Sequence, residues 1–313
     1  MIIRQASIED KPAIVELLKE SLGESLLKKS TSIWDYKHVA NPFGESYVLL
    51  AEEDGELIGV RAFMSWKWQM GTQVWQAYRA VDTATHPNHQ GKGIFKKLTL
   101  QALADVGKNE ACFIFNTPNE KSRPGYLKMG WESLGKISIA LVPSLIYTLG
   151  SFLNNGKKYL QPLTVSALDA LCISHNKALE VTGQLFTPKS PAYLAWRYED
   201  NPMQPYQILT GKNWYVAVYQ KKHRYFTELR IAEVIGGHTK AARKEIKAVV
   251  TQLALKNKCL LISTTEKNLF SLKYFGAIGP ILTCRDLTAE KEILTKSKQA
   301  NAWQYAMGDL ELF

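Results

Sequence analysis

The hydrophobic and polar positions of this chain change period several times, and each change marks an element. Residues 2–6 read as a short strand. Ser7-Ile8-Glu9-Asp10 then reads as a helix start, with Ser7 as the cap and two acids in the first turn. Ile14, Leu17, Leu18 and Leu22 continue one helical face. The stretch from Trp34 to Pro42 ends in a turn. Tyr47–Glu52 and Leu57–Trp68 predict two strands joined at Asp54-Gly55, a strong hairpin signal. A polar turn at Gly71-Thr72 leads into a strand over 74–85, which stops before Pro87 because proline cannot continue a ladder. Ile94, Leu98, Leu100 and Leu103 lie close to one face of a helix over about 92–107. Ala111–Asn116 is a continuous apolar run, as in a buried strand. Residues 117–130 read as a loop, a short helix and a glycine stop, with Pro124 and Gly125 expected to kink the helix. Trp131–Leu141 then predicts one further strand.

The second half echoes the first. Trp196-Arg197-Tyr198 with Asn201-Pro202 resembles Trp34-Asp35-Tyr36 with Asn41-Pro42, and a strand pair follows each time, at 206–210 and 214–220 in the second copy. Lys256–Ser263 echoes Lys108–Asn116, and Gly276 is expected to play the part of Gly130. The second copy is shorter where the first carries its glycine loop, and reads Val234-Ile235-Gly236-Gly237-His238-Thr239-Lys240 there.

A length of 313 residues suggests about two domains, each with enough chain for a core. The net charge of +10 would suit nucleic acid, an anionic surface, or an anionic cofactor and substrate. The basic residues are scattered and form no nucleic-acid motif, so nucleic acid is not expected. Cys112, Cys172, Cys259 and Cys284 show no metal-ligand spacing, and no metal is expected; Cys112 and Cys259 lie inside apolar runs and read as buried thiols, which suits a reducing cytoplasm. The uncharged run Ile137–Asn155 is marginal for a membrane span and carries Pro143. It reads instead as a strand followed by an inter-domain helix, and no integral membrane segment is expected.

The chemistry concentrates at residues 78–98. There a strand ends at a polar turn, and Gln90-Gly91-Lys92-Gly93 precedes a helix. Glycines let a backbone approach a ligand closely, a helix start favours an anion, and Lys92 adds charge. On physics alone this is a phosphate-binding turn. The stretch resembles the coenzyme-A loop of the GNAT N-acetyltransferases, Gln/Arg-x-x-Gly-x-Gly/Ala. Gln90, Gly93 and Phe95 occupy the key positions, and Phe95 departs from the small residue expected. Residues 119–131 resemble a second family pattern, Asn-x-x-Ala-x-x-x-Tyr-x-Lys-x-Gly-Phe, through Asn119, Ser122, Tyr126, Gly130 and Trp131.

The resemblance implies an α/β (α+β) GNAT fold, a mixed, mostly antiparallel central sheet flanked by helices, here as two tandem GNAT-like domains. The boundaries would be 1–143 for the acetyltransferase domain, 144–161 for a linker or helix, and 162–313 for a degenerate GNAT-like domain. It implies acetyl-CoA as donor and transfer of its acetyl group to a primary amine. Backbone groups at Thr83, Ala84 and Thr85 would meet the pantetheine arm and stabilise the oxyanion. Gln90, Gly91, Lys92, Gly93, Ile94 and Phe95 would hold the pyrophosphate, and Asn119 and Ser122 would contact the cofactor. Tyr126 would be the general acid; a core tyrosine is the other reading. Asp82 is a candidate catalytic carboxylate, although strand alternation turns it away from Thr83 and Thr85 unless a bulge intervenes. Trp34, Tyr36, Trp66 and Trp68 could line an acceptor pocket or form core. His86 and His89 are expected to cap the turn. A small-molecule amine or amino sugar is the favoured acceptor, and a homodimer stays open. The competing readings are a catalytically silent acyl-CoA-binding scaffold and, further off, a Fem-type aminoacyl transferase.

Overall fold

The computed structural model describes residues 1–24, 28–109, 111–147, 163–289 and 291–310. Fifteen strands among them build two sheets. In the first half they are β1 (Ile2–Gln5), β2 (Tyr47–Glu53), β3 (Glu56–Met70), β4 (Gln73–Thr85), β5 (Cys112–Asn116), β6 (Glu132–Lys136) and β7 (Ile139–Pro143). The second half supplies β8 (Leu185–Phe186), β9 (Gln207–Gly211), β10 (Trp214–Lys222), β11 (Thr227–Ile235), β12 (Leu261–Thr264), β13 (Tyr274–Gly276), β14 (Ile281–Asp286) and β15 (Trp303–Gln304). The helices are α1 (Lys11–Leu22), α2 (Thr31–His38), α3 (Ile94–Asn109), α4 (Arg123–Lys128), α5 (Val165–Glu180), α6 (Pro191–Leu194), α7 (Lys240–Lys256), α8 (Glu292–Lys296) and α9 (Met307–Leu310).

The first sheet runs β1-β2-β3-β4-β5-β14-β6, and the second β13-β7-β12-β11-β10-β9. Each is mostly antiparallel; the parallel pairs are β4 with β5 and β8 with β15 in the first sheet, and β11 with β12 in the second. One strand of each half has changed sides: β7 lies between β12 and β13, and β14 between β5 and β6. Trp131–Leu141, expected as one strand, is therefore two strands in two sheets. The chain crosses at Ile137, which donates to the Pro280 carbonyl at 2.9 Å and accepts from the Gly279 amide at 2.9 Å. The sequence division at 143 does not divide the sheets.

The internal repeat has a structural register of 160 residues. Ser30 caps α2 by accepting from the Ile33 amide, and Ser190 caps α6 from the Tyr193 amide. Asn41 accepts from the Phe43 amide and Asn201 from the Met203 amide, each at 2.9 Å. Equivalent residues of the two copies meet: the Tyr36 hydroxyl donates to the Trp196 carbonyl at 2.6 Å, and the Trp196 indole to the Tyr36 carbonyl at 2.8 Å. Trp196 thus corresponds to Tyr36 rather than to Trp34. Thr31–His38 forms a helix, an element the sequence reading did not assign to this stretch.

Three apolar clusters hold these layers. The largest lies between the halves and includes Trp66, Trp68, Trp196 and Tyr215; one packs α3 on the first sheet; one packs α7 on the second. Pro124 stands at the start of α4, where its missing N–H costs nothing, so it initiates the helix and does not kink it. Gly130 has φ +88 and ends that helix, as expected. Gly276 does not repeat that part; it pairs with Ile139 in β13. The run to Asn155 enters β7 and a single 3₁₀ turn at Ser144–Tyr147; the expected inter-domain helix falls mostly outside the described residues. Among the described residues no helix is long and apolar enough to cross a membrane.

Candidate active site

The site begins with an interruption in pairing. β4 pairs with β5 from Gln76↔Cys112 to Arg79↔Phe115, and there the parallel ladder stops. β4 continues to Thr85 against β3 alone. Residues 80–85 thus leave one backbone edge open, and a buried open edge requires a partner. A cavity of about 900 Å³ lies along it. Gly59 on β3 lets the start of α3 approach the sheet, since a Cβ there would meet Ile94 at 2.7 Å. The glycine turn therefore faces the opened strands. Gly91 and Gly93 have φ of +79 and +77, and no heavy atom lies within 4 Å of where their Cβ would be. The α3 amides that follow belong to the first turn, which has no intrahelical acceptors.

Asp82, Thr83, Ala84, Thr85, Gln90, Gly91, Gly93, Ile94, Phe95, Asn119, Ser122 and Tyr126 all line this cavity. Lys92 does not; its ammonium lies 3.2 Å from His89 Nδ1 and 3.9 Å from Glu53. His86 caps the turn by accepting from the Asn88 amide at 3.3 Å. Of the four aromatics proposed for a pocket, only Trp34 lines the cavity. Trp66 and Trp68 are fully buried in the core, and Tyr36 stacks on Trp196. Lys28, Lys29, Lys37, Lys96 and Lys121 also line the cavity, against Asp82 as the one lining carboxylate among the described residues.

Asp82 sits at a bulge. Val81 pairs with Ala62 and Thr83 with Arg61, leaving Asp82 extra at φ +39. Asp82 turns to Lys37 and His38 of α2, whereas Thr83 meets Arg61, which also reaches Tyr126 of α4. Asp82 Oδ2 accepts from Lys37 Nζ and lies 2.8 Å from His38 Nε2. Burial pushes this carboxyl up, but the Lys37 charge and the His38 and Lys37 hydrogen bonds outweigh it, and the result lies below the ordinary 3.8. Burial also holds His38 below its ordinary 6.5 against the pull of Asp82. His38 is thus neutral at neutral pH, with the proton on Nε2 toward Asp82 and Nδ1 accepting from Ser46 Oγ at 2.8 Å.

Tyr126 stands on α4 with its ring edge-on to Phe95 and Trp131, centroids 5.6 and 5.1 Å away. Its hydroxyl accepts from Arg61 Nη1 at 2.9 Å. Arg61 is fully buried. It also donates to Thr83 Oγ1, it lies over the rings of Phe63, Phe95 and Tyr126, and its Nε and Nη2 find no hydrogen-bond partner among the described residues. A guanidinium has no acceptor atom, so the Tyr126 proton must point elsewhere. Sequence reasoning missed Arg61. Its signal was one cation inside the apolar run Ile58–Met64. Lys37 and His38 were missed with the helix that carries them.

Phe95 does not close the site. Its ring runs toward α4, where a Cβ on Gly125 would lie 3.2 Å from Phe95 Cε1. The two departures from the family patterns, a large residue at 95 and a glycine in the short helix, accommodate each other.

The second sheet repeats the geometry and fills it. β11 leaves β12 after Arg230↔Ser263 and carries a bulge at Ala232 against β10. Glu233 there accepts from Lys189 at 2.6 Å and Tyr198 at 3.0 Å, and Lys189 also reaches Asp309 of α9 at 2.8 Å. The loop before α7 is occupied as well, the Gly236 amide donating to His175 Nδ1 at 3.2 Å.

Comparison with known proteins agrees with this geometry. Residues 2–134 match the model of the acetyltransferase (GNAT) domain family. No curated protein matches the sequence. The fold resembles a GCN5-related N-acetyltransferase from Anabaena variabilis (TM-score 0.69, 13% identity, 93% of this chain and 74% of that one). It also resembles a GCN5-related N-acetyltransferase from Kribbella flavida (0.67, 12%, 93% and 73%) and Eis1 from Mycobacterium abscessus (0.58, 17%, 94% and 75%). Over residues 2–134 the chain is thus similar to the GNAT acetyltransferase domain.

Proposed function

We propose that the protein is an acetyl-CoA-dependent N-acetyltransferase with one working site, in the first half, acting on the primary amine of a small molecule. The observation that carries this reading is the cavity itself: an open strand edge, an unobstructed glycine turn at a helix start, and five lysines around them. Those features suit a ligand with an amide-rich arm and several phosphates. Gln90 to Phe95 would hold the pyrophosphate, residues 83–85 the arm, and Asn119 and Ser122 its near end. Bound acetyl-CoA supplies the activated acetyl group. Tyr126 holds a proton at its hydroxyl, directed away from Arg61 and available to a leaving thiolate. Arg61 and Asp82 act as positioning residues: Arg61 fixes which way the Tyr126 proton points, and Asp82 fixes Lys37 in the cavity wall. The second half, with its own opening filled, would be a degenerate copy that walls the site. Four buried free thiols suit a reducing compartment such as the cytoplasm.

The test is calorimetric titration with acetyl-CoA and with coenzyme A, followed by thiol-release assays on an amine panel. Binding near one per chain is expected. Gly93→Glu should abolish it, because the variant puts a charge at the phosphate turn and a side chain at φ +77; unchanged affinity would remove the loop assignment. Tyr126→Phe should lower kcat about a hundred-fold with coenzyme-A affinity nearly unchanged. Equal losses in both would make Tyr126 a packing residue.

A further inference from the structure

At one end of the second sheet β7 and β10 leave and β11 and β12 enter, since Pro143 pairs with Leu261, Leu261 with Glu228, and Lys222 with Thr227. Three turns meet there. The Ser144 amide donates to the Leu260 carbonyl at 3.0 Å, and the Leu260 amide to the Thr227 carbonyl at 2.9 Å. The His223 amide donates to the Phe226 carbonyl at 2.8 Å and closes the turn between β10 and β11. Large apolar side chains on these turns face solvent: Leu145 is 66% exposed, Ile146 47%, Leu260 53% and Tyr225 81%. Cations flank them. Lys222 and Arg224 stand at the β10–β11 turn, and Lys256 and Lys258 at the passage from α7 to β12, all exposed. The Arg224 guanidinium lies 5.1 Å from the centre of the Tyr225 ring. The segments bring no acid of their own: residues 221–227 and 255–260 contain no Asp or Glu, and none occurs between Glu132 and Asp169. Glu228, which follows the turn, is buried and is held by His223, Arg230 and Ser263.

We propose that this end of the second sheet is a peripheral docking surface for an anionic lipid bilayer. An exposed apolar cluster rimmed by polar groups marks an interaction surface. The cations call for an anionic partner, and the apolar side chains for one with a nonpolar interior. A bilayer offers both at matching depths: headgroup charge for Lys and Arg, acyl chain for Leu and Ile, and the boundary between them for Tyr. Nucleic acid would satisfy the cations and leave the apolar groups in water. A fluid surface also receives three separate turns without the complementary shape that a folded partner would need. Attachment through a few apolar side chains and a few charges is reversible, since it takes both signals together. None of these residues lines the cavity of the candidate active site, so the proposal does not rest on the acetyltransferase reading.

Vesicle flotation of the full chain tests this, with phosphatidylcholine alone set against phosphatidylcholine and phosphatidylglycerol at about three to one. Binding to the mixed vesicles should be roughly ten-fold tighter or better, and should fall steeply between about 0.1 and 0.5 M salt. Lys256→Glu with Lys258→Glu should weaken it about ten-fold or more, and Arg224→Glu, on a different turn, should act in the same direction. Tyr225→Ser with Leu260→Ser should weaken it about ten-fold by removing the inserted groups. All are changes at exposed positions, and circular dichroism checks that each variant is folded. Equal binding to the two vesicle types, binding to neither, or binding unmoved by either pair of substitutions overturns the proposal. Duplex DNA bound as tightly as the mixed vesicles, with vesicle binding indifferent to Tyr225→Ser and Leu260→Ser, would make this a general polyanion surface and overturn it as well.

Discussion

Asp82 shows how one residue can be readable in kind and not in role. It is a carboxylate on the strand that opens the cavity, and that much follows from the sequence. Its orientation depends on a bulge, and its electrostatics depend on α2, a helix the hydrophobic pattern does not announce because Lys37 and His38 are buried polar residues on it. The geometry makes a prediction. A carboxyl held below its ordinary pKa adds stability that is fully present above about pH 4 and is lost as the pH falls toward the folded-state value. Asp82→Asn leaves Lys37 and His38 facing no charge, and should cost about 3–5 kcal/mol at pH 7 by urea unfolding. The same variant should show a flatter stability profile below pH 4. A loss under 1 kcal/mol would mean that the pair is solvated and not structural. Arg61 belongs to the same class: a buried cation is visible as an oddity in a strand, but its partner lies on α4, and no local pattern connects them.

At the scale of elements, the best-predicted pieces are those fixed by neighbours in sequence. The hairpin at Asp54-Gly55 has both residues at positive φ, as an Asp-Gly turn requires. The helix after Gly93 and the capped start at Ser7 likewise depend on adjacent residues. The misread pieces depend on distant contacts: Trp131–Leu141 breaks in two because its second part pairs with β12 and β13. Phe95 and Gly125 are a middle case, two anomalies visible separately whose relation only α3 packing on α4 reveals. Their coupling is measurable. Gly125→Ala alone should destabilise, or at best be neutral, because its methyl crowds Phe95 at 3.2 Å. In a Phe95→Ala background it should stabilise by about 0.5–1 kcal/mol, the ordinary helical advantage of alanine over glycine. A thermal-melt cycle of the four proteins reads the difference; additive values would show that the ring does not bear on Gly125.

For the whole molecule, the exchange of β7 and β14 outweighs any single contact. A chain of two independent domains would melt in two steps and survive being divided. Here residues 1–147 alone lack the strand that joins β5 to β6, and their own β7 has no sheet to enter. That fragment is expected to be unfolded or aggregated by circular dichroism and amide exchange. Co-expression with residues 163–313 should recover a soluble pair that binds coenzyme A, while a folded and active 1–147 fragment would show that the exchange is dispensable. The tandem organisation was legible from the Trp, Tyr and Asn-Pro echoes. The exchange was not, since β7 and β14 are each ordinary apolar strands whose sequences carry no address.

The exchange also sets a timetable for synthesis. Asn116 receives its partner Thr283 from a residue 167 positions later. At a ribosomal rate of about 5–20 residues per second, β5 and β6 must wait roughly 10–30 s for the strand between them. During that interval the nascent first sheet exposes two unmatched edges, and the half that carries the cavity matures only when the second half is nearly complete.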